Sequence, residues 1–284
     1  MITYGILQTL NIKVNNKPMN REQTLHQLVE LGLHGMAEGY EAIIKLPINK
    51  QPEGHMMLAQ LAEKEYYNKK NKRQELYLKL SKLRYKSTLE DVTCSTKRNL
   101  TKETLTNLAD CMYIRMGMNI LISGSTGCGK SYLACALAYE ACAKGIKAMY
   151  FNMNKLTEQI LLSKVDGTYL KLLARLEKYP LLVLDDFGLQ TINKELALAI
   201  LQILEDRYNK KSTIIVSQLP IEKWAQVIND ATIGDAIVDR IIYNAHRIEL
   251  KGSSMREKTK QNGPAEEPSL GRPTGSLDKA PLQS

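Results

Sequence analysis

No apolar run in this 284-residue chain approaches the roughly 18 residues that a membrane-spanning helix needs, so no span is expected. The first residues lack a continuous apolar stretch ending in small residues, and no secretory leader is read there. The five cysteines, at positions 94, 111, 128, 135 and 142, form no CxxC pair and no cluster with histidine. That pattern excludes the common structural zinc spacings and fits reduced thiols in a cytoplasmic protein. No internal repeat is visible.

Positive charge is in excess. The formal net charge is +9 and the isoelectric point is near 9.1, which invites a polyanionic partner. The excess is uneven: residues 63–86 carry nine Lys or Arg against three Glu, with Tyr66, Tyr67, Tyr77 and Tyr85 interleaved. Charge alone fits a solvated helix face or a surface for nucleic-acid phosphates equally well. The phosphate-binding pattern at 124–131 favours DNA, with Lys69, Lys70, Lys72, Arg73, Lys79, Lys82 and Arg84 as the contacting cations.

Gly124-Ser-Thr-Gly-Cys-Gly-Lys-Ser131 fits the phosphate-binding pattern G-x-x-x-x-G-K-[ST] without departure. Its flanks read as a short buried strand at 118–123 and an Ala/Leu-rich helix from 132, the context that the motif requires. Gly127 and Gly129 let the backbone curl so that Ser125, Thr126, Cys128 and their neighbours turn N–H groups inward toward phosphate oxygens. The helix start adds its positive dipole end. Lys130 can reach the outer phosphates of ATP, and the Ser131 hydroxyl can bind Mg²⁺. Cys128 contributes mainly its backbone N–H.

A second part of a nucleotide site lies at Leu184-Asp185-Asp186-Phe187, where a hydrophobic strand ends in acids. There Asp185 is expected to hold Mg²⁺ through its water shell, and Asp186 to polarise the attacking water. Ser217-Gln218 ends a later strand, with Gln218 favoured as the polar group beside the γ-phosphate. Arg240 and Arg256 make sense in an oligomeric ATPase as an arginine supplied to a neighbour's site and a sensing arginine in the same subunit. Arg207 is a rival for the trans-acting role.

Along the chain, residues 1–18 read as a peripheral extension and 19–90 as a small helical domain for DNA binding and assembly. Within it, Leu25, Leu28, Val29 and Leu31 share a helical face, Gly32 and Gly35 loosen the pattern, and a long helix covers roughly 55–84. Residues 91–104 read as a linker. From 105 to 258, short apolar runs alternate with helices, which predicts an α/β fold with a parallel five-stranded sheet covered on both faces. The strands are expected at 118–123, 146–151, 181–185, 213–217 and 247–250. Residues 259–284 hold four prolines and almost no large apolar side chain, the composition of a disordered tail. No room remains after the core for a large helical lid.

With these pieces assembled, residues 19–258 resemble the IstB family of insertion-sequence transposition helpers, AAA+ ATPases similar to the helicase loader DnaC. The carriers are Leu31-Gly-Leu-His-Gly-Met36, the phosphate loop, Leu182-Val-Leu-Asp-Asp-Phe-Gly188 and Arg207-Tyr208. To these add Ser217-Gln-Leu-Pro220 with Trp224, Asp239-Arg240, and Asn244-Ala-His-Arg-Ile-Glu-Leu-Lys-Gly252 with Ser254-Met-Arg256. The last stretch favours IstB over DnaC. The resemblance implies ATP and Mg²⁺ as cofactors, and duplex DNA, a cognate IstA-type transposase and further copies of the chain as partners. It implies ATP-driven assembly on target DNA, transposase recruitment and release on hydrolysis, with no strand cutting by this chain. The absence of a strand-transfer nuclease's acid trio agrees. The alternatives are a helicase loader acting on single-stranded DNA, and a nucleotide switch with negligible turnover, which the shorter Asp186 suggests.

Overall fold

The computed structural model describes residues 20–255. The extension expected at 1–18, the tail expected at 259–284 and Arg256 lie outside the described residues.

The apolar runs become five strands: β1 (Asn119–Gly124), β2 (Ala148–Asn152), β3 (Leu181–Phe187), β4 (Ser212–Ser217) and β5 (Ala245–Leu250). All pair in parallel, in the order β2-β3-β4-β1-β5. The three inner strands β1, β3 and β4 are buried along almost their whole length. Burial on both faces is why they read as uninterrupted aliphatic runs and not as alternating ones. The edge strand β5 alternates between exposed and buried positions near its end.

Successive strand residues point to opposite faces, and each face has its own core. Leu121, Leu182, Leu184 and Ile215 face α7 (Met153–Val165), α8 (Tyr169–Glu177), α9 (Lys194–Arg207) and α10 (Ala231–Ile242). Ile120, Ile122, Val183, Ile214 and Val216 face α4 (Lys102–Ala109), α5 (Met112–Arg115) and α6 (Lys130–Ala143). Helix α6 is buried on nearly every side, at Leu133, Ala134, Cys135, Ala136, Leu137 and Ala138 among others. A helix apolar all round is a helix covered all round: the sheet lies beneath it and α3 above.

Three helices precede the α/β core: α1 (Arg21–Glu30), α2 (His34–Ile44) and the 28-residue α3 (Gly54–Ser81). At 1.5 Å per residue, α3 extends about 42 Å, long enough to serve two neighbours. Its first half packs on α2. A Cβ on Gly35 would lie 2.6 Å from the Lys64 carbonyl oxygen, and one on Gly39 would lie 2.9 Å from Leu61 Cδ2. Gly35, which the linear pattern presents as loosening a helix, is therefore what lets two helix backbones approach. Met36 N donates to the buried Glu65 carboxylate at 3.0 Å, setting a negative charge at the start of α2. Burial raises the Glu65 pKa, but the backbone donors of Met36 and Gly35 and the Lys69 charge outweigh it and hold the group below its ordinary value.

The second half of α3 lies against the core. The Gln74 side-chain amide donates to the Ala143 carbonyl, and Lys147 Nζ sits 5.4 Å from the centre of the Tyr77 ring. Helix α1 buries no residue, and Leu31 just beyond it is 72% exposed. Of its expected apolar face, Leu25 and Leu28 are half-buried, whereas Val29 and Leu31 stay exposed. No helix among the described residues is long and apolar enough to cross a membrane.

Candidate active site

The site forms at the carboxyl ends of β1, β3 and β4, where parallel α/β sheets gather ligands. Gly124, Gly127 and Gly129 all take positive φ, of 143°, 82° and 91°. A Cβ on Gly124 would stand 2.2 Å from the Leu250 carbonyl oxygen, so β5 can run beside the loop only if that residue is glycine. Lys130 opens α6 and is 7% exposed, with Nζ donating to the Ser125 carbonyl at 2.8 Å. Cys128 is buried in the core beneath the loop, and the Thr126 hydroxyl donates to Gln218 Oε1 at 2.7 Å. That contact brings Gln218 to the mouth of the loop. Ser217 is held away from it: its buried hydroxyl donates to the Phe187 carbonyl and accepts from Leu219 N.

The acids of β3 meet the loop from the side. Ser131 Oγ donates to Asp185 Oδ1 at 3.0 Å. Asp185 is fully buried, and its Oδ2 accepts from the Tyr150 hydroxyl at 2.6 Å. Burial and this bond push the Tyr150 phenol far above its ordinary value, so it stays a donor. The register between β3 and β4 shifts between Leu184 and Phe187, and Asp186 sits in the shift at φ 62°. Such an irregularity re-aims a side chain. Asp tolerates left-handed backbone better than a longer acid, which accounts for the shorter residue here. Asn152 Nδ2 donates to Asp186 Oδ2 at 2.7 Å. Burial, and then the neighbouring Asp185 charge, push the Asp186 carboxyl above its ordinary range; Arg84, Asn152 and Lys130 pull the other way. A cavity of about 110 Å³ opens beside Asp186, lined by Asn154, Thr157, Gln190 and Thr191 among others.

Three arginines sit where the linear pattern does not place them. Arg84, grouped there with the DNA-contacting cations, instead faces Asp185 and Asp186. Arg98, which the pattern does not single out, donates from Nη2 to the Cys128 carbonyl at 2.7 Å and so braces the back of the loop. Arg207, the rival trans-acting candidate, is buried at 2% exposure. Its Nη1 donates to the Leu176 and Tyr179 carbonyls at 3.0 and 2.9 Å, its Nε to Thr213 Oγ1 at 3.1 Å, and its Nη2 to the Ser212 carbonyl. Burial draws its pKa down to about 9, which leaves it charged at neutral pH. A side chain so engaged ties α8 to α9 and β4 and has no reach toward a neighbour. Arg207→Ala is expected to lower unfolding free energy by about 3–5 kcal/mol, since it strands several buried acceptors. Urea unfolding measures this, and a loss below about 1 kcal/mol would contradict the assignment.

Arg240 lies at the opposite, amino-terminal end of the strands. Its carbonyl lies beside Asn119 Nδ2 at the start of β1, whereas the loop leaves the other end of that strand, about 17 Å away. Its guanidinium pairs with Glu205 and donates to the Ala236 carbonyl. It cannot serve its own loop. The described chain ends with Met255 N donating to the Gly127 carbonyl at 2.9 Å, so Arg256 follows a residue that touches the loop. Lys69, Lys70, Lys72, Arg73, Lys79 and Lys82 are all exposed on or just after α3. Lys69, Lys72, Arg73 and Lys79 recur at three-, four- and seven-residue spacings and share one side of the helix.

The family model described as IstB-like ATP binding protein matches residues 26–263. A Sinorhizobium fredii protein described as an insertion sequence ATP-binding protein is 37% identical over 238 residues, covering 84% of this chain and 97% of the relative. The ATP-binding protein described for insertion sequence IS1162 of Pseudomonas fluorescens is 36% identical over 203 residues, 71% of this chain and 88% of that one. Among solved structures, the DnaC helicase loader is similar with a TM-score of 0.50 at 23% identity, over 59% of this chain and 98% of that chain. DnaA bound to AMPPCP and single-stranded DNA reaches 0.51 at 21% identity, over 63% and 56%. These structural likenesses show a shared fold.

Proposed function

Because the chain belongs to the IstB-like ATP-binding proteins of insertion sequences, we propose that it is an ATP-hydrolysing helper of transposition. In this reading it assembles on duplex target DNA, recruits an IstA-type transposase and leaves when ATP is spent. The observation that carries it is the convergence of Lys130, Ser131, Asp185 and Asp186 at one end of the sheet, with a basic helix packed on the same α6.

Each residue has a task. The curled backbone at Gly127 and Gly129 turns N–H groups on the phosphates, and Lys130 supplies a positive charge to the outer ones. Ser131 and Asp185 place two adjacent oxygen donors as Mg²⁺ requires, with Asp185 acting through water. When bound, that ion neutralises charge on the phosphates. Asp186 orients and polarises the attacking water, and Gln218 faces the terminal phosphate. Arg240, too far from its own loop, acts on the nucleotide of an adjacent copy, which makes turnover depend on assembly. Arg256 remains the candidate sensor within the subunit.

The exposed cations of α3 meet DNA phosphates, and the exposed rings of Tyr66 and Tyr67 stand among them. Replacing Lys69, Lys70, Lys72 and Arg73 by Gln is expected to weaken duplex binding at least tenfold. It should also flatten the dependence of log affinity on log salt by up to about 3–4 units. A salt titration of duplex binding checks this. An unchanged slope would place the DNA surface elsewhere.

A further inference from the structure

The cation-rich run does not stay on one surface. Lys82 takes φ 53°, closes α3 and turns the chain back across α6. The return segment is fastened there: Ser87 Oγ donates to the Tyr132 carbonyl at 3.1 Å, and the Tyr85 ring lies 6.0 Å from the Tyr132 ring. Between these anchors, the Arg84 guanidinium sits 5.3 Å from the centre of the Tyr85 ring. Its Nη1 lies 3.7 Å from Asp185 Oδ2 and 3.6 Å from Asp186 Oδ2.

The oxygens of the two acids are divided between tasks. Asp185 Oδ1 accepts from Ser131 Oγ and from Asp186 N, while Oδ2 accepts from Tyr150 and faces Arg84. Asp186 Oδ2 accepts from Asn152 and also faces Arg84. Two adjacent carboxylates repel, and each has an axis about which it can turn. One guanidinium nitrogen placed between an oxygen of each offsets part of the repulsion and favours the orientation in which both oxygens face it.

We propose that Arg84 is a positioning residue of the ATP site. It holds the Oδ2 atoms of Asp185 and Asp186 on one side, which leaves Asp185 Oδ1 toward Ser131 and Asp186 aimed at the mouth of the loop. The inference deepens the ATPase reading and rests on it. The segment that joins the basic helix to the core thereby supplies part of the site's geometry, and Arg84 is not a DNA contact.

The test compares Arg84→Ala and Arg84→Lys with the unaltered chain. It measures ATP turnover, magnesium dependence of the binding of a fluorescent ATP analogue, magnesium-free affinity for the same analogue, duplex affinity and Tm. Removing a positive charge beside Asp185 favours the metal, so Arg84→Ala is expected to need about three- to tenfold less magnesium for half-maximal binding. Its turnover is expected to fall about 10- to 100-fold, because the acids lose their orientation. Magnesium-free nucleotide affinity and duplex affinity should stay within about twofold. Arg84→Lys retains the charge and the magnesium requirement, but recovers only part of the turnover, since a flexible ammonium is not held in place against the Tyr85 ring as the planar guanidinium is.

Tighter metal with slower turnover is a combination that a disrupted fold would not give. If Arg84→Ala misfolds, the Arg84→Lys variant decides alone: full turnover in it overturns the proposal. Unchanged turnover and magnesium dependence with weakened duplex binding would return Arg84 to the DNA surface. If the unaltered chain binds ATP without hydrolysing it, the ATPase reading fails, and the magnesium shift still judges Arg84 by itself.

Discussion

Lys130→Ala is expected to weaken nucleotide binding on the order of 10²- to 10³-fold while leaving the fold in place. The side chain is 7% exposed, and among the described residues the hydrogen bond its Nζ makes is to the carbonyl of Ser125 in its own loop. Its loss therefore breaks no contact between elements. It removes a charge-assisted donor from a place where water is largely excluded, and such a loss in a binding site costs about 2–5 kcal/mol. At 1.4 kcal/mol per decade the middle of that range is two to three powers of ten. Titration of a fluorescent ATP analogue, with the far-ultraviolet dichroism spectrum as a check on folding, measures it. A loss of less than fivefold would mean that the loop does not grip the phosphates as its geometry implies.

Asp186→Asn separates binding from hydrolysis. Asn tolerates left-handed backbone as well as Asp does, so φ 62° imposes no new strain. Asn152 keeps a neighbouring amide oxygen to bond once the new side chain is oriented to suit. The substitution removes the charge proposed to polarise water, and general-base groups contribute about 10²–10⁴ in rate. Turnover is expected to fall by at least 10²-fold with nucleotide affinity changed less than threefold, so that ATP stays bound. Single-turnover measurement of phosphate release gives the rate. If release continued at the original rate, Asp186 would lose its assigned role, and a switch with another water path would replace it.

The parts that could be read in the sequence share a physical cause. Inner strands buried on both faces must be aliphatic throughout, so Ile120–Ile122, Leu181–Leu184 and Thr213–Val216 announce themselves. The phosphate loop is legible because its chemistry fixes both residue type and spacing. Arg84 was hidden because a charge run gives no direction: one residue in left-handed conformation at Lys82 sends two neighbouring cations to different places. Arg207 carries no signal of burial in its own neighbourhood, since its acceptors are carbonyls of Leu176, Tyr179 and Ser212 supplied by the fold. Tyr150 and Asn152 become meaningful only with the pairing of Asn152 against Asp185, which sets the end of β2 beside the acids. Gly35 was visible as a glycine, but its reason, a backbone 2.6 Å from where a Cβ would stand, belongs to α3.

The central claim is that nucleotide controls assembly on duplex DNA. Binding to matched single-stranded and duplex DNA with ATP, with ADP and without nucleotide, followed together with particle size by light scattering, tests it most directly. The account predicts duplex binding in large assemblies with ATP alone, and their dispersal as ATP is consumed. Preference for the single strand, or duplex binding of equal strength and particle size in all three conditions, would contradict it.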